Sequence, residues 1–325
     1  MLLIATTING TVHRLSMEGI ALSHYWDGQV VAFDPLHYQI SNLYGGYVRP
    51  GWGGISFANT LFESGDWPPP INITVAAYYT ATTEAAAELL FTGIGHLSHI
   101  TRDAIKYDLY SPSYSATVAD LTAFDDTLGN IVDWFCDAAR LNLTVDHTYE
   151  RAVSPPVKFT SSGTQFAIPL LSDICAFNSH LFYISGTTLH LIDMLMDAGS
   201  TAITEFDFFP SEYAYQVPTS IVSTTNYSRT SAYPYGNAMS LATEFEDTGA
   251  DINTALDNIL SILNSAGCRL RMPLLGSVPT PGTKISWTDT SLNLDMAAWI
   301  RARSISYDFQ NEEVTIEGEG ALAAG

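Results

Sequence analysis

Residues 167–194, AIPLLSDICAFNSHLFYISGTTLHLIDM, change period halfway along, and that change decides the fold. Ile168, Leu171, Ile174 and Cys175 recur at three- and four-residue steps, which puts them on one face of a helix that has to pack against something. After Asn178 the run Leu181, Phe182, Tyr183, Ile184 is strand-like. Ser185-Gly186 reads as a turn, and residues 187–192 return as a second strand. The stretch predicts a helix feeding a tight hairpin, and it contains no plausible active centre.

The same step occurs upstream. Residues 127–139 place Ile131, Val132, Phe135, Cys136 and Ala139 on one side of a helix, and residues 141–145 (LNLTV) follow as a short strand. A third helix is expected at 251–265, where Ile252, Leu256, Ile259, Leu260 and Leu263 line one face, with Asp251 as N-cap and Gly267 as the stop. Before residue 112 short strands dominate, with turns marked by Gly45-Gly46, Pro50-Gly51 and Gly53-Gly54 and one Ala/Glu-rich helix at 83–91. The run Trp67-Pro68-Pro69-Pro70 reads as a rigid connector into a strand at 71–79.

Helix, polar break, aromatic strand, Gly turn and Leu-rich strand ending in Asp resemble a module of the hub proteins of phage tails and the spike proteins of type VI secretion. The C-terminal run 299–320, WIRARSISYDFQNEEVTIEGEG, is similar to the closing strands of hubs of long-tailed phages, and 67–110 to their first tube-type domain. The chain thus resembles the baseplate hub or tail-tip family, with contractile-tail hubs, late control protein D and type VI spike hub domains as relatives in pattern. The resemblance implies an α+β fold, mainly β. Tube-like β-barrel or sandwich domains at 1–112 and 196–325, each with a helix, flank a mixed α/β insert at 113–195. It further implies a homotrimeric structural protein of the virion tail tip, made in the host cytoplasm. Such a hub joins the tail tube or a distal tail protein ring to distal hub, fibre or spike proteins, and DNA passes through without specific binding. Two alternatives stand beside it: a hexameric distal tail protein, and a carbohydrate-binding receptor module using Trp26, Trp52, Trp67 and Tyr110.

Composition agrees with assembly. Only 14% of the 325 residues are charged, and the balance of 13 basic against 34 acidic gives −21. Clustered Lys and Arg, which counterion release on a phosphate backbone requires, are missing. The stretch from Phe159 to Ser228 has no base, while Asp173, Asp193, Asp197, Glu205, Asp207 and Glu212 fall within it; an acidic channel wall would let DNA slide. Cys136, Cys175 and Cys268 read as small buried hydrophobes of a reducing compartment. The apolar start at residues 1–5 is too short for a membrane span.

Chemistry is sought and not assigned: catalytic, cofactor-binding and metal residues are all given as none, and no enzyme activity is expected. His96 and His99, with His37 or Asp103 as third partner, come nearest to metal spacing but lack a second clustered pair. Asp193 and Asp197 are expected as a solvated or channel-facing charge cluster, and Glu312, Glu313, Glu317 and Glu319 as an exposed strand edge. No phosphate-binding, nucleophile-elbow or zincin motif occurs.

Overall fold

The computed structural model describes residues 2–8, 11–16, 30–58, 73–79, 88–110, 114–119, 121, 124–151, 157–159, 163–195, 200–202, 212–214, 218–224, 226–233, 235–241, 249–273, 279–289, 296–308 and 313–322. Strand predominates, and the described residues form three helices, α1 (Leu128–Cys136), α2 (Ala167–Phe177) and α3 (Gly249–Leu263). The chain is α+β, mainly β.

The opening stretch folds as its periodicity predicts. On α2, Leu171, Ile174 and Cys175 are buried against Ile131, Val132, Phe135 and Cys136 of α1 and against Phe182, Ile184, Leu189 and Leu191 of the hairpin. Each fully buried Leu, Ile or Phe of this cluster contributes about 1.5–3 kcal/mol. The helix stops because Asn178 turns back on it, its side-chain Nδ2 donating to Ile174 O at 2.8 Å, and Ser179 then adopts φ +60. The hairpin strands are His180–Ser185 and Thr188–Asp193. Their loop is Gly186-Thr187, one residue later than the sequence suggests, because the tight turn needs positive φ at its first position and Gly186 supplies +59. Strand Thr144–Tyr149 joins Thr188–Asp193 in parallel. It starts later than expected because α1 ends at Cys136 and Asn142, at φ +53, folds Leu141–Leu143 back onto the helix end.

The hairpin also reaches the first sheet: Leu181 and Phe182 pair in parallel with Gly46 and Tyr47 of the long strand Gly45–Ala58. That strand overturns three expected turns. The reversal lies at Leu43-Tyr44, and Gly45 through Gly54 run on within the strand. Gly45 and Gly46 are needed there because a Cβ on Gly45 would lie 2.5 Å from His180 O, and one on Gly46 2.6 Å from Ser172 Oγ. Gly53-Gly54 falls at a register shift against Ala104–Tyr110, a bulge in the strand in place of a turn.

From Gly45–Ala58 the pairing runs one way through Ala104–Tyr110, Glu88–Ile100, Ile73–Tyr79 and Leu2–Ile8 to Thr11–Ser16. Residues 88–91, expected as helix, are therefore strand; Glu88, Leu89 and Phe91 pair with Tyr79, Tyr78 and Ala77, and this long-range pairing overrides the helix propensity of the segment. The rest of that expected helix, and the Trp67–Pro70 connector, lie outside the described residues. The other way, Leu36–Asn42 passes the sheet to Met296–Asp308, which pairs with Glu313–Leu322, then Ala266–Pro273 and Glu212–Ala214.

Helix α3 buries Ile252, Leu256, Ile259, Leu260 and Leu263 with Val222 and Leu241 and with Phe177 at the end of α2. It begins two residues before Asp251, which sits in the first turn, where a carboxylate suits the helix dipole. It ends at Leu263 because the side chain of Asn264 is drawn to Thr219, accepting from its N–H at 2.8 Å and donating to its carbonyl at 3.1 Å. Gly267, expected as the stop, lies inside a strand opposite Ala214 and Glu319.

Candidate assembly site and buried charge clusters

Strand Gly45–Ala58 and α2 are tied at Ser172, whose Oγ accepts from Tyr47 N–H at 2.9 Å and lies 3.0 Å from Ser41 Oγ. Beside this tie they diverge, leaving a cleft of 490 Å³. Tyr47, Tyr114, Phe166 and Pro169 make its apolar walls, and Arg49 and Asp173 bring opposite charges to it. Tyr47 is held from behind by a stacked contact with Phe182 at 5.1 Å. Phe166, at the N-cap of α2, is 59% exposed although aromatic. Desolvation in the cleft raises the Asp173 carboxyl above its usual range. A rigid aromatic pocket with one acceptor and one donor suits an amphipathic anchor better than a reaction.

Two charge clusters centre on buried carboxylates. Asp193, opposite His180 across the hairpin, is fully buried; its Oδ1 accepts from Leu195 N–H at 2.9 Å and its Oδ2 lies 3.3 Å from Arg151 Nε. His180 Nδ1 lies 2.7 Å from Asn178 O and so carries the proton, and burial pulls the imidazole below its ordinary range against the opposing pull of Asp193. Asp193 is thus a structural ion-pair partner, which corrects the expected solvated cluster; a hairpin end facing α2 and the first sheet has no water to offer. Asp197 lies outside the described residues.

The second cluster joins the closing strands. Glu319 accepts from Arg301 Nη1 at 2.5 Å and from Arg303 Nη2, and all three residues are 3–5% exposed. Arg303 Nη2 also lies 3.4 Å from Ile262 O in the last turn of α3, where the helix carries partial negative charge. The extra positive charge of two arginines on one glutamate is thereby met. The expected exposed edge is corrected here: Glu313–Leu322 has partners on both sides, and only Glu317 of its described acids is exposed. Glu313 pairs with Arg271 and Glu317 with Arg269, while Glu312 is not among the described residues.

A third group lies on the surface of the insert. His147 stands between Asp133 Oδ1 at 3.0 Å and Glu150 Oε2 at 2.6 Å. Desolvation lowers its affinity for a proton, but the two carboxylates outweigh it and the imidazole is raised above its ordinary range. Asp146 is lowered to about 2, first by the Thr148 hydroxyl and N–H and then by His190 at 2.9 Å.

The other sequence candidates do not converge. His96 and His99 are exposed on Glu88–Ile100, His96 edge-on to Tyr110 at 5.5 Å. His37 is separated from them by two intervening strands, roughly 14 Å at the usual strand spacing. Asp103 sits in the exposed turn beyond them. Among the described residues no three His, Cys, Asp or Glu side chains could hold a metal ion. Tyr110 is 49% exposed; Trp26 and Trp67 lie outside the described residues, and only the backbone of Trp52 is described. Of the acids in the base-free stretch Asp173 lines the cleft with part of its surface exposed and Asp193 is buried; only the backbone of Glu212 is described, and Asp197, Glu205 and Asp207 lie outside the described residues. All three cysteines are buried and none is in a disulfide, and burial pushes the Cys136 thiol up to about 12. Sequence reading missed the cleft and the arginine–glutamate triad. The available signal was Arg301 and Arg303 alternating inside an otherwise apolar strand, with Glu319 between two glycines in its partner.

No protein-family model and no curated protein sequence matches the chain. Solved structures do. The 43 kDa tail protein of prophage MuSo2 from Shewanella oneidensis aligns with a TM-score of 0.60 at 11% identity, covering 98% of this chain and 97% of that one. A tail protein from Neisseria meningitidis MC58 aligns at 0.62 and 7% identity, covering 98% and 96%. An Escherichia coli component of the type VI secretion system, itself similar to bacteriophage T4 tail proteins, aligns at 0.50 and 12%, covering 92% and 77%. The chain has the fold of phage tail proteins over nearly its whole length, in line with the resemblance of its sequence pattern.

Proposed function

We propose that the chain is a structural component of a bacteriophage tail: a homotrimeric hub of the tail tip or baseplate, without catalytic role. It would join the tail tube to distal fibre or spike proteins around a channel for DNA. The observation that carries the reading is the match in fold, over 98% of this chain and 96–97% of theirs, to two solved tail proteins. The side chains support it, since the buried carboxylates Asp193 and Glu319 are engaged in ion pairs within the fold. Two tube-like units, 1–112 and 196–325, would stand side by side in each subunit, as their edge-to-edge pairing at Leu36–Tyr38 and Ile305–Tyr307 supports. The insert 113–195 would brace them through Leu181 and Phe182.

The test is the mass of the purified chain by light scattering, followed by imaging of tails that contain it. A threefold ring at the end of the tube is expected. A sixfold ring would move the chain to the distal tail proteins, and glycan binding by the isolated chain would favour a receptor module.

A further inference from the structure

Within residues 230–237, TSAYPYGN, the described Tyr233 and Tyr235 form an exposed aromatic pair. Tyr235 is 97% exposed and Tyr233 50%. The tip is nonetheless held at its base. Ser231 Oγ donates to Thr219 O at 3.0 Å and accepts from Tyr233 N–H at 3.1 Å, and Asn237 N–H donates to Pro218 O at 2.8 Å. An uncovered pair of tyrosines is a poor way to meet water and a good way to anchor a contact, and the hydrogen bonds at Ser231 and Asn237 fix the backbone from which the pair projects.

The cleft beside α2 is the complementary feature. It is walled by Tyr47, Tyr114, Phe166 and Pro169, and Asp173 offers an acceptor for a phenolic hydroxyl. Electrostatics favours the same match. In a chain of net charge −21, two copies approach most easily where charge is least: no Asp or Glu occurs between Glu212 and Glu244, a stretch that includes the tip, and Asp257 beside its base is paired with Arg229. Tip and cleft also lie at different ends of the helical module. The tip belongs to the strands packed on α3, which meet α2 at Phe177, whereas the cleft opens at Phe166, about 16 Å away along the helix.

We infer that a second copy of this chain inserts its Tyr233–Tyr235 tip into the cleft between strand Gly45–Ala58 and α2, so that subunits join head to tail. Such a contact uses two different patches and closes into a ring when the rotation allows. The inference rests on the ring assembly proposed above and names the joint that makes it. Two tyrosines bury about 150–250 Å² each, the anchor of an interface and not its full area.

The experiment uses complementation in the full chain. A tip variant, Tyr233→Ser with Tyr235→Ser, and a cleft variant, Phe166→Asp, both change exposed residues, and circular dichroism checks that each is folded. Sedimentation should show wild type as a ring and each variant alone as a monomer, with the dissociation constant raised at least about 30-fold. An equimolar mixture should form a dimer and stop there, since it contains one intact tip and one intact cleft. Ring formation by either variant alone, or a mixture that stays monomeric, overturns the inference and leaves the hub reading untouched. A monomeric wild type at assembly concentrations overturns both.

Discussion

Replacing Glu319 by Gln keeps the shape of the closing strands and removes the one carboxylate between two buried guanidinium groups. Arg301 and Arg303 side chains are each 6% exposed and Glu319 3%, so solvent cannot replace the lost charge. At an effective dielectric of about 20, a pair of unit charges 4 Å apart interacts by about 4 kcal/mol, and breaking a buried pair from one side costs about 3–5 kcal/mol. The Ile262 carbonyl at the end of α3 stays in place and moderates the loss, so about 3 kcal/mol is expected. With an unfolding entropy of about 2.1 cal/mol/K per residue, that lowers the melting midpoint by roughly 4 °C. Thermal unfolding followed by circular dichroism reads it. The control replaces all three residues by Met, which removes the charges together and should fall within about 2 kcal/mol of wild type. A Glu319→Gln protein melting within 1 °C of wild type, or a triple variant weaker than the single one, would show that the triad is not the electrostatic unit described.

Leu171→Asp, Ile174→Asp and Leu260→Asp each bury an unpaired carboxylate where exposure is 0%, 2% and 7%, and each should prevent folding, seen as loss of soluble chain with native circular dichroism. Gly318→Ala should cost about 1–3 kcal/mol, because its Cβ would overlap the Arg301 carbonyl at the bulge between Ala302 and Ser304; faster amide exchange confined to 313–322 is the expected sign, and unchanged exchange would refute it. The raised His147 stabilises the insert fully below the unfolded value of 6.5, and that stabilisation is lost as pH rises through the higher folded value. His147→Gln should therefore lower the urea midpoint more at pH 6 than at pH 8.5, and equal losses at the two would sink the argument.

Local periodicity made the helical module legible. The faces of α1, α2 and α3 and the two closing strands were readable because three- and four-residue steps, or alternation, are written in adjacent residues. Glycine misled where it serves packing. Gly45 and Gly46 look like a turn, yet they are small because His180 and Ser172, more than 120 residues away, press on them. Residues 88–91 look helical, yet pairing with 77–79 makes them strand. The cleft was out of reach for the same reason: Tyr47, Tyr114 and Phe166 come from three separated segments, and no local pattern records that they meet. Glu319 was misjudged because burial of a charge depends on what covers it, here the end of α3.

The charge balance leads to a last prediction. Lys106, Arg140, Arg151, Lys158, Arg229, Arg269, Arg271, Arg301 and Arg303 each lie against a carboxylate of the same chain. Arg49, Arg102 and Lys284 are engaged as well. Twelve of the 13 Lys and Arg residues thus make contacts within the chain, and the acids outnumber the basic residues by 21. Copies of such a chain repel one another, over about 8 Å at 0.15 M salt and about 30 Å at 0.01 M. If the joint between subunits is the tyrosine tip in its aromatic cleft, the tip brings no charge to Arg49 and Asp173, and no ion pair between subunits offsets the repulsion. Assembly should then tighten as salt rises from 0.01 to 0.3 M, read by light scattering at fixed protein concentration. An assembly held by ion pairs between subunits would loosen over the same range, and that outcome would refute a joint without ion pairs.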